Sequence, residues 1–279
     1  MYYFLKILIS AIYFILLFLT YSCSGGRRLV WSDEFNYRGF PDSTKWIYEN
    51  GYVRNKELQY YTKSRPENAR VENGNLVIEA RKEKLLNKDY KPESKNWREQ
   101  DEYVSYTSAS LKTFKKADWK YGRIEIKAKL PQGKGIWPAI WTLGANSAEA
   151  GWPGCGEIDI MEFIGRDPKT IYGTVHYSLE GKHKQSSANI KIENLFDDFH
   201  TYTIEWYPDS IDFYFDETKY HTFIYEKAGL TGDDNPFCKQ HYLLLNLALG
   251  GSWSGELDES VLPQKYIIDY VRVYELEVK

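Results

Sequence analysis

The segment Gly156-Glu157-Ile158-Asp159-Ile160-Met161-Glu162-Phe163 concentrates the residues best suited to chemistry in this 279-residue chain. Its alternation of acidic and branched apolar residues predicts a strand, with Glu157 and Asp159 on one face about 6.6 Å apart at a rise of ~3.3 Å per residue. Ile158 and Ile160 then point into a core. Glu162 is out of phase, and strict alternation would bury its carboxylate among the isoleucines without a partner. One extra residue, a bulge at Ile160-Met161, returns Glu162 to the acidic face, and such bulges recur beside active sites. Residues 135–165 contain no Lys or Arg, so nothing close in sequence neutralises the carboxylates; Lys56, Arg98 and Lys134 are loop cations that this pattern does not place. Like charges at this spacing push at least one pKa up and leave a protonated and an ionised carboxyl side by side near neutral pH. Glycoside hydrolysis uses that pairing, with one carboxylate at the anomeric carbon and one acid for the leaving oxygen. The competing reading, a solvated strand face, accounts for the alternation but not for the break in phase.

Just upstream, Gly135-Ile136-Trp137-Pro138-Ala139-Ile140-Trp141 sets two indoles four residues apart on one face of an extended run. A sugar ring stacks its axial C–H groups on such faces while its hydroxyls seek polar partners, so Trp137 and Trp141 beside the acids suit a glycan platform. Core packing is the alternative, because most of the 9 Trp, 24 Tyr and 13 Phe must fill an interior.

The elements that carry these residues are short runs of period-two alternation: NLVIEAR from Asn75, GRIEIKAKL from Gly122, TYTIEWY from Thr201, SIDFYFD from Ser210 and YIIDYVRVYEL from Tyr266. Turn-prone pieces such as Glu72-Asn73-Gly74-Asn75, Pro131-Gln132-Gly133 and Tyr207-Pro208-Asp209-Ser210 separate them. No helical alternation, repeat or linker interrupts the series. The expected fold is all-β, a β-sandwich of jelly-roll type in one domain over residues 29–279.

Before that domain, Lys6 is followed by the apolar run Ile7–Leu19, in which Ser10 is the only polar residue. It is shorter than the ~20 residues that cross a bilayer and fits an export signal over residues 1–22. Thr20-Tyr21-Ser22-Cys23 resembles the lipidation site of bacterial lipoproteins, which makes 23–28 a short tether to a membrane lipid on Cys23; secretion with ordinary cleavage is the alternative. Cys155 and Cys238 are expected as free thiols. With 36 Lys+Arg against 39 Asp+Glu, the chain lacks the basic excess that nucleic acid demands. The sequence has no Gly-x-Ser-x-Gly elbow, phosphate-cradling glycine loop or His-Glu-x-x-His pair.

Several stretches together resemble glycoside hydrolase family sixteen, in its laminarinase-like branch: Trp31-Ser32-Asp33-Glu34-Phe35, Asn55-Lys56-Glu57-Leu58-Gln59-Tyr60-Tyr61-Thr62, Trp137-Pro138-Ala139-Ile140-Trp141, Trp152-Pro153-Gly154-Cys155-Gly156 leading into the acidic strand, Thr174-Val175-His176-Tyr177, Asn246-Leu247-Ala248-Leu249-Gly250-Gly251 and Asp269-Tyr270-Val271-Arg272-Val273-Tyr274. The resemblance implies two curved antiparallel sheets with a concave substrate cleft, and cleavage of internal β-linked bonds with retention. It implies Glu157 as nucleophile, Glu162 as general acid then base, and Asp159 orienting Glu157. Trp137, Trp141 and Trp152 would lie near the cleaved bond, Asn55 on the glycone side, and His176 on the neighbouring strand, where a packed core histidine is the plain alternative. It also implies a structural calcium held by Glu34, the Gly74 carbonyl and Asp269, and no cofactor for catalysis. Ser110 departs from the Arg that many members carry. The expected substrate is β-1,3-glucan or mixed-linkage β-1,3-1,4-glucan, cut by a monomer. A non-catalytic glycan-binding protein on the same fold, or a hydrolase of another polysaccharide such as an agar-type galactan, are the alternatives.

Overall fold

A computed structural model describes residues 27–276. The export segment, Cys23 and the first part of the tether lie outside the described residues.

The chain folds into two packed sheets. The first, which floors the cleft, has the order β2 (Ile47–Tyr48), β7 (Ser110–Lys112), β16 (His241–Leu249), β9 (Ile136–Gly144), β10 (Glu157–Phe163), β11 (Thr170–Leu179) and β12 (Lys182–Lys191). The second runs β3 (Tyr60–Tyr61), β6 (Tyr103–Ser108), β5 (Asn75–Leu86), β17 (Gln264–Leu276), β8 (Gly122–Lys129), β13 (His200–Trp206), β14 (Ser210–Phe215) and β15 (Thr218–Ile224). Two further strands flank it, β1 (Arg27–Asp33) on β17 and β4 (Ala69–Glu72) on β5. The jelly-roll expectation holds, and every predicted alternating run is a strand. One pairing departs from antiparallel: Tyr60 and Tyr61 run parallel to Thr107 and Ser108.

Alternation builds the interior. Ile140, Ile158, Val175 and Leu245 from the cleft sheet meet Ile124, Ile126, Ile204 and Phe213 from the outer sheet, all buried in one cluster. Their neighbours in sequence point the other way, so Trp141, Glu157, Asp159, Thr174, His176, Leu244 and Asn246 line the cleft. The fold thus converts a two-residue period into a two-sided sheet, one side apolar and one side functional.

Strand β1 begins at Arg27, two residues before the expected start of the domain. Arg27 and Arg28 already pair with Leu276 and Glu275 in β1, and their guanidinium groups bond Glu205 and Glu275. Two charged residues at the start of a strand gain carboxylate partners there, which the sequence alone does not reveal. Cys155 and Cys238 are both free, as expected. No helix among the described residues is long and apolar enough to cross a membrane.

Candidate active site

Register shows the bulge directly. From Glu157 to Glu162 the chain takes five steps along β10. The facing residues run from Leu143 to Ala139 on β9 and from His176 to Tyr172 on β11, four steps each. The surplus residue falls at Ile160-Met161, and both side chains are buried in the core cluster. Four partner steps are an even number, so Glu162 returns to the face of Glu157 and Asp159. Gly156 sets the entry to this strand: its φ is +76°, and a Cβ there would come within 2.7 Å of Pro236. Deleting Met161 should therefore keep all three acids on the cleft face, because a four-step strand also preserves the phase. The expected cost is that of an excised core side chain, roughly 2–5 kcal/mol, read as a lower melting temperature. A folded deletion variant without any activity would show that the phase argument is wrong.

The cleft encloses about 760 Å³. Trp137 stands beside Glu162 and donates its indole N–H to Oε1 at 3.1 Å. Trp141 lies deeper, only 8% exposed, with its N–H on Asn246 Oδ1 at 2.8 Å. Trp152, on the loop before β10, is 54% exposed. Asn55 lines the opposite end and donates to Glu57 Oε1 at 3.1 Å. His176 is no packed core residue: its Nε2 lies 3.3 Å from Asp159 Oδ2 and 3.9 Å from Glu157 Oε1. All eight predicted catalytic and substrate-binding residues thus line one cleft.

Residues outside the sequence prediction complete it. Trp253, in the short helix α2 (Gly251–Ser254; α1 is Ser147–Ala150), crosses Trp137 at 77° with ring centroids 5.3 Å apart. Among the described residues Arg54 is the only Lys or Arg in the lining, and its guanidinium sits 5.0 Å from the centroid of Trp141. That face of Trp141 therefore carries a cation. Arg54 also pairs with Glu49, a carboxylate shared with the Ser110 hydroxyl at 2.8 Å and Lys112 at 3.5 Å. Arg98 fixes the loop that delivers it, donating to the carbonyls of Tyr52 and Val53 at 2.9 and 2.6 Å. The sequence signal was slight, a lone Arg between two acids in an aromatic segment.

Charge now orders the site. Burial raises the pKa of Glu162 well above the usual carboxylate range, and the charges of Asp159 and Glu157 push it further. Burial and Asp159 also raise Glu157, but Arg54 pulls it back. Asp159 is raised by burial and held down by His176. Arg54 opposes the rise at Glu157, and the Trp137 indole N–H opposes it at Glu162. A cation on the Glu157 side favours Glu157 as the ionised member of the pair, with Glu162 as the acid.

The calcium positions behave differently. Register places Glu34, Gly74 and Asp269 near one end of the outer sheet, Asp269 at a shift in the β17–β8 pairing. Arg272 grips both oxygens of Glu34 at 3.0 and 2.8 Å, and Lys127 holds Asp269 at 3.0 Å. Carboxylates already neutralised by cations do not make the oxygen cage that a hard divalent ion requires.

The chain matches the family model described as glycosyl hydrolases family 16 over residues 56–272. It belongs to glycosyl hydrolases family 16. A β-glucanase of Rhodothermus marinus is 42% identical over 257 residues, covering 88% of this chain and 84% of that protein. The laminarinase structure from Rhodothermus marinus superposes with a TM-score of 0.77 at 42% identity, over 91% of this chain and 98% of that one. A structure from work on endo-acting O-glycanases, which members of the human gut microbiota express to initiate mucin breakdown, superposes with a TM-score of 0.84 at 41% identity, over 91% and 92%. As a member of this family the chain is a glycoside hydrolase that needs no cofactor for its chemistry.

Proposed function

We propose that the protein is a retaining endo-β-glucanase acting on β-1,3-glucan or mixed-linkage β-1,3-1,4-glucan, with Glu157 as nucleophile, Glu162 as general acid and base, and Asp159 orienting Glu157. The observation that carries the assignment is the bulged register of β10, which brings Glu157, Asp159 and Glu162 onto one cleft face, with the Arg54 guanidinium opposing the rise in the pKa of Glu157. Glu157 attacks the anomeric carbon while Glu162 protonates the departing glycosidic oxygen. The new glycosyl ester removes the charge of Glu157, so the pKa of Glu162 falls and it can take a proton from water. That water displaces Glu157 from the opposite face, and two inversions give net retention. Trp137, Trp253 and Trp152 supply apolar faces for the sugar rings, and Asn55 binds on the glycone side.

Export through residues 1–22, lipid attachment at Cys23 and action as a monomer belong to the same proposal. Calcium does not. A cation would first have to displace Arg272 from Glu34 and Lys127 from Asp269, and melting curves with and without EDTA read directly whether one does. An unchanged melting temperature is expected.

The closer superposition on the O-glycanase structure supports a second reading, cleavage of internal bonds in mucin-type O-glycans by the same residues. Sulfated galactans fit less well, because a cleft with five lining carboxylates, Glu49, Glu57, Glu157, Asp159 and Glu162, repels polyanions. The test is product analysis on laminarin, barley glucan, lichenan, agar and mucin O-glycans. Oligosaccharides from the first three support the glucanase, and release from mucin alone supports the second reading. Binding without any product would leave a lectin.

A further inference from the structure

We propose that His183 is a positioning residue that holds His176 and braces Trp152, the exposed indole that forms the wall of the cleft on the leaving-group side of the substrate. The proposal rests on the hydrolase reading above and names a residue that the reading does not use.

His183 lies on β12, the outermost strand of the cleft sheet, two places from the β11–β12 turn at Glu180-Gly181. Its Nε2 is 2.9 Å from Nδ1 of His176, and the two rings stack at 26° with centroids 5.2 Å apart. The other nitrogen of His176 faces Asp159 at 3.3 Å and Glu157 at 3.9 Å. A ring engaged at both nitrogens has its tilt and its tautomer set by those two partners. One partner belongs to the acid cluster. The other is His183, and among the described residues no other side chain hydrogen-bonds that nitrogen.

Trp152 closes the group. Its ring centroid lies 4.7 Å from that of His183 and 5.9 Å from that of His176, and the indole remains half exposed. An exposed indole braced by two imidazoles offers a flat face at one end of the cleft, across β10 from Asn55 and Arg54. With the glycone at Asn55, the sugar at this wall is the one that departs. Partial desolvation, and then the neighbouring His176, hold His183 below the ordinary histidine value, which favours the neutral ring.

The test compares the polymer with a nitrophenyl glycoside of the same sugar, which places an aryl group rather than a sugar on the leaving side. His183→Ala should lower kcat/KM on the polymer roughly 10-fold, the scale of one lost aromatic contact and a loosened partner. On the aryl glycoside, which has no leaving-side sugar at Trp152, only the loss transmitted through His176 remains, and the drop should be at least about 3-fold smaller than on the polymer. His183→Gln, which can still bond Nδ1, should restore much of the polymer activity, and the ¹⁵N signals of His176 should move in His183→Ala but less in His183→Gln. Equal losses on both substrates, or no loss on either, would overturn the proposal. If the parent enzyme cleaves O-glycans and not glucan, the same comparison on that polymer separates failure of the wall from failure of the glucanase reading.

Discussion

Glu157→Gln should lose roughly 10³–10⁵-fold in kcat on laminarin and on aryl glycosides alike, because no leaving group substitutes for the missing nucleophile. Glu162→Gln should lose as much on the polymer but far less on an aryl glycoside with an acidic leaving group, since that departure needs no proton. Stereochemistry then distinguishes the two positions. Azide should rescue Glu162→Ala on an activated substrate and give a β-glycosyl azide, because it intercepts the glycosyl-enzyme. Azide with Glu157→Ala should give the α-azide by a single displacement. Interchanged products would reverse the roles assigned to the two glutamates, and circular dichroism of each variant checks that the fold is intact.

Arg54→Met should act through charge as well as stability. Removing the guanidinium strands Glu49, which burial alone would press upward but which Arg54, Lys112 and Ser110 hold below the usual carboxylate range. Breaking such a pair costs about 3–5 kcal/mol in well-buried cases, so a large drop in melting temperature is expected. The sharper readout is the pH profile. Arg54 lowers the pKa of Glu157, so its loss raises that pKa. The acidic limb of kcat/KM, which reports ionisation of the nucleophile in the free enzyme, should therefore move to higher pH. Arg54→Lys keeps the charge and should leave the limb near its original position even if stability falls. A limb that stays fixed in a folded Arg54→Met variant would remove Arg54 from the electrostatics of the site.

What the sequence made legible follows from the range of the forces involved. The phase error at Glu162 is local: five residues of β10 and the penalty for a buried carboxylate are enough to predict the bulge, and the register contains it. Strand identity is local for the same reason. Arg54 was out of reach because its effect on Glu157 depends on β2, β7 and β9 coming together, and no spacing in the chain encodes that. The same holds for His183, whose partner lies seven residues away across a hairpin. Trp141 shows the opposite error. Its spacing from Trp137 correctly places it in the cleft, but spacing does not say that a cation would already cover one face.

The cation that balances the acidic strand is carried by a loop. Asn55 and Lys56 both have positive φ, and Arg98 clasps the carbonyls of Tyr52 and Val53 just before them. Strands that hold the reacting groups are constrained on both sides by ladders and core, whereas this connection is held chiefly by the Arg54–Glu49 pair and the Arg98 clasp, so it can change when those few partners change with it. The working acidity of such an enzyme can therefore drift through evolution, or be re-engineered by transplanting one short connection together with those partners, while every residue that touches the scissile bond stays as it is.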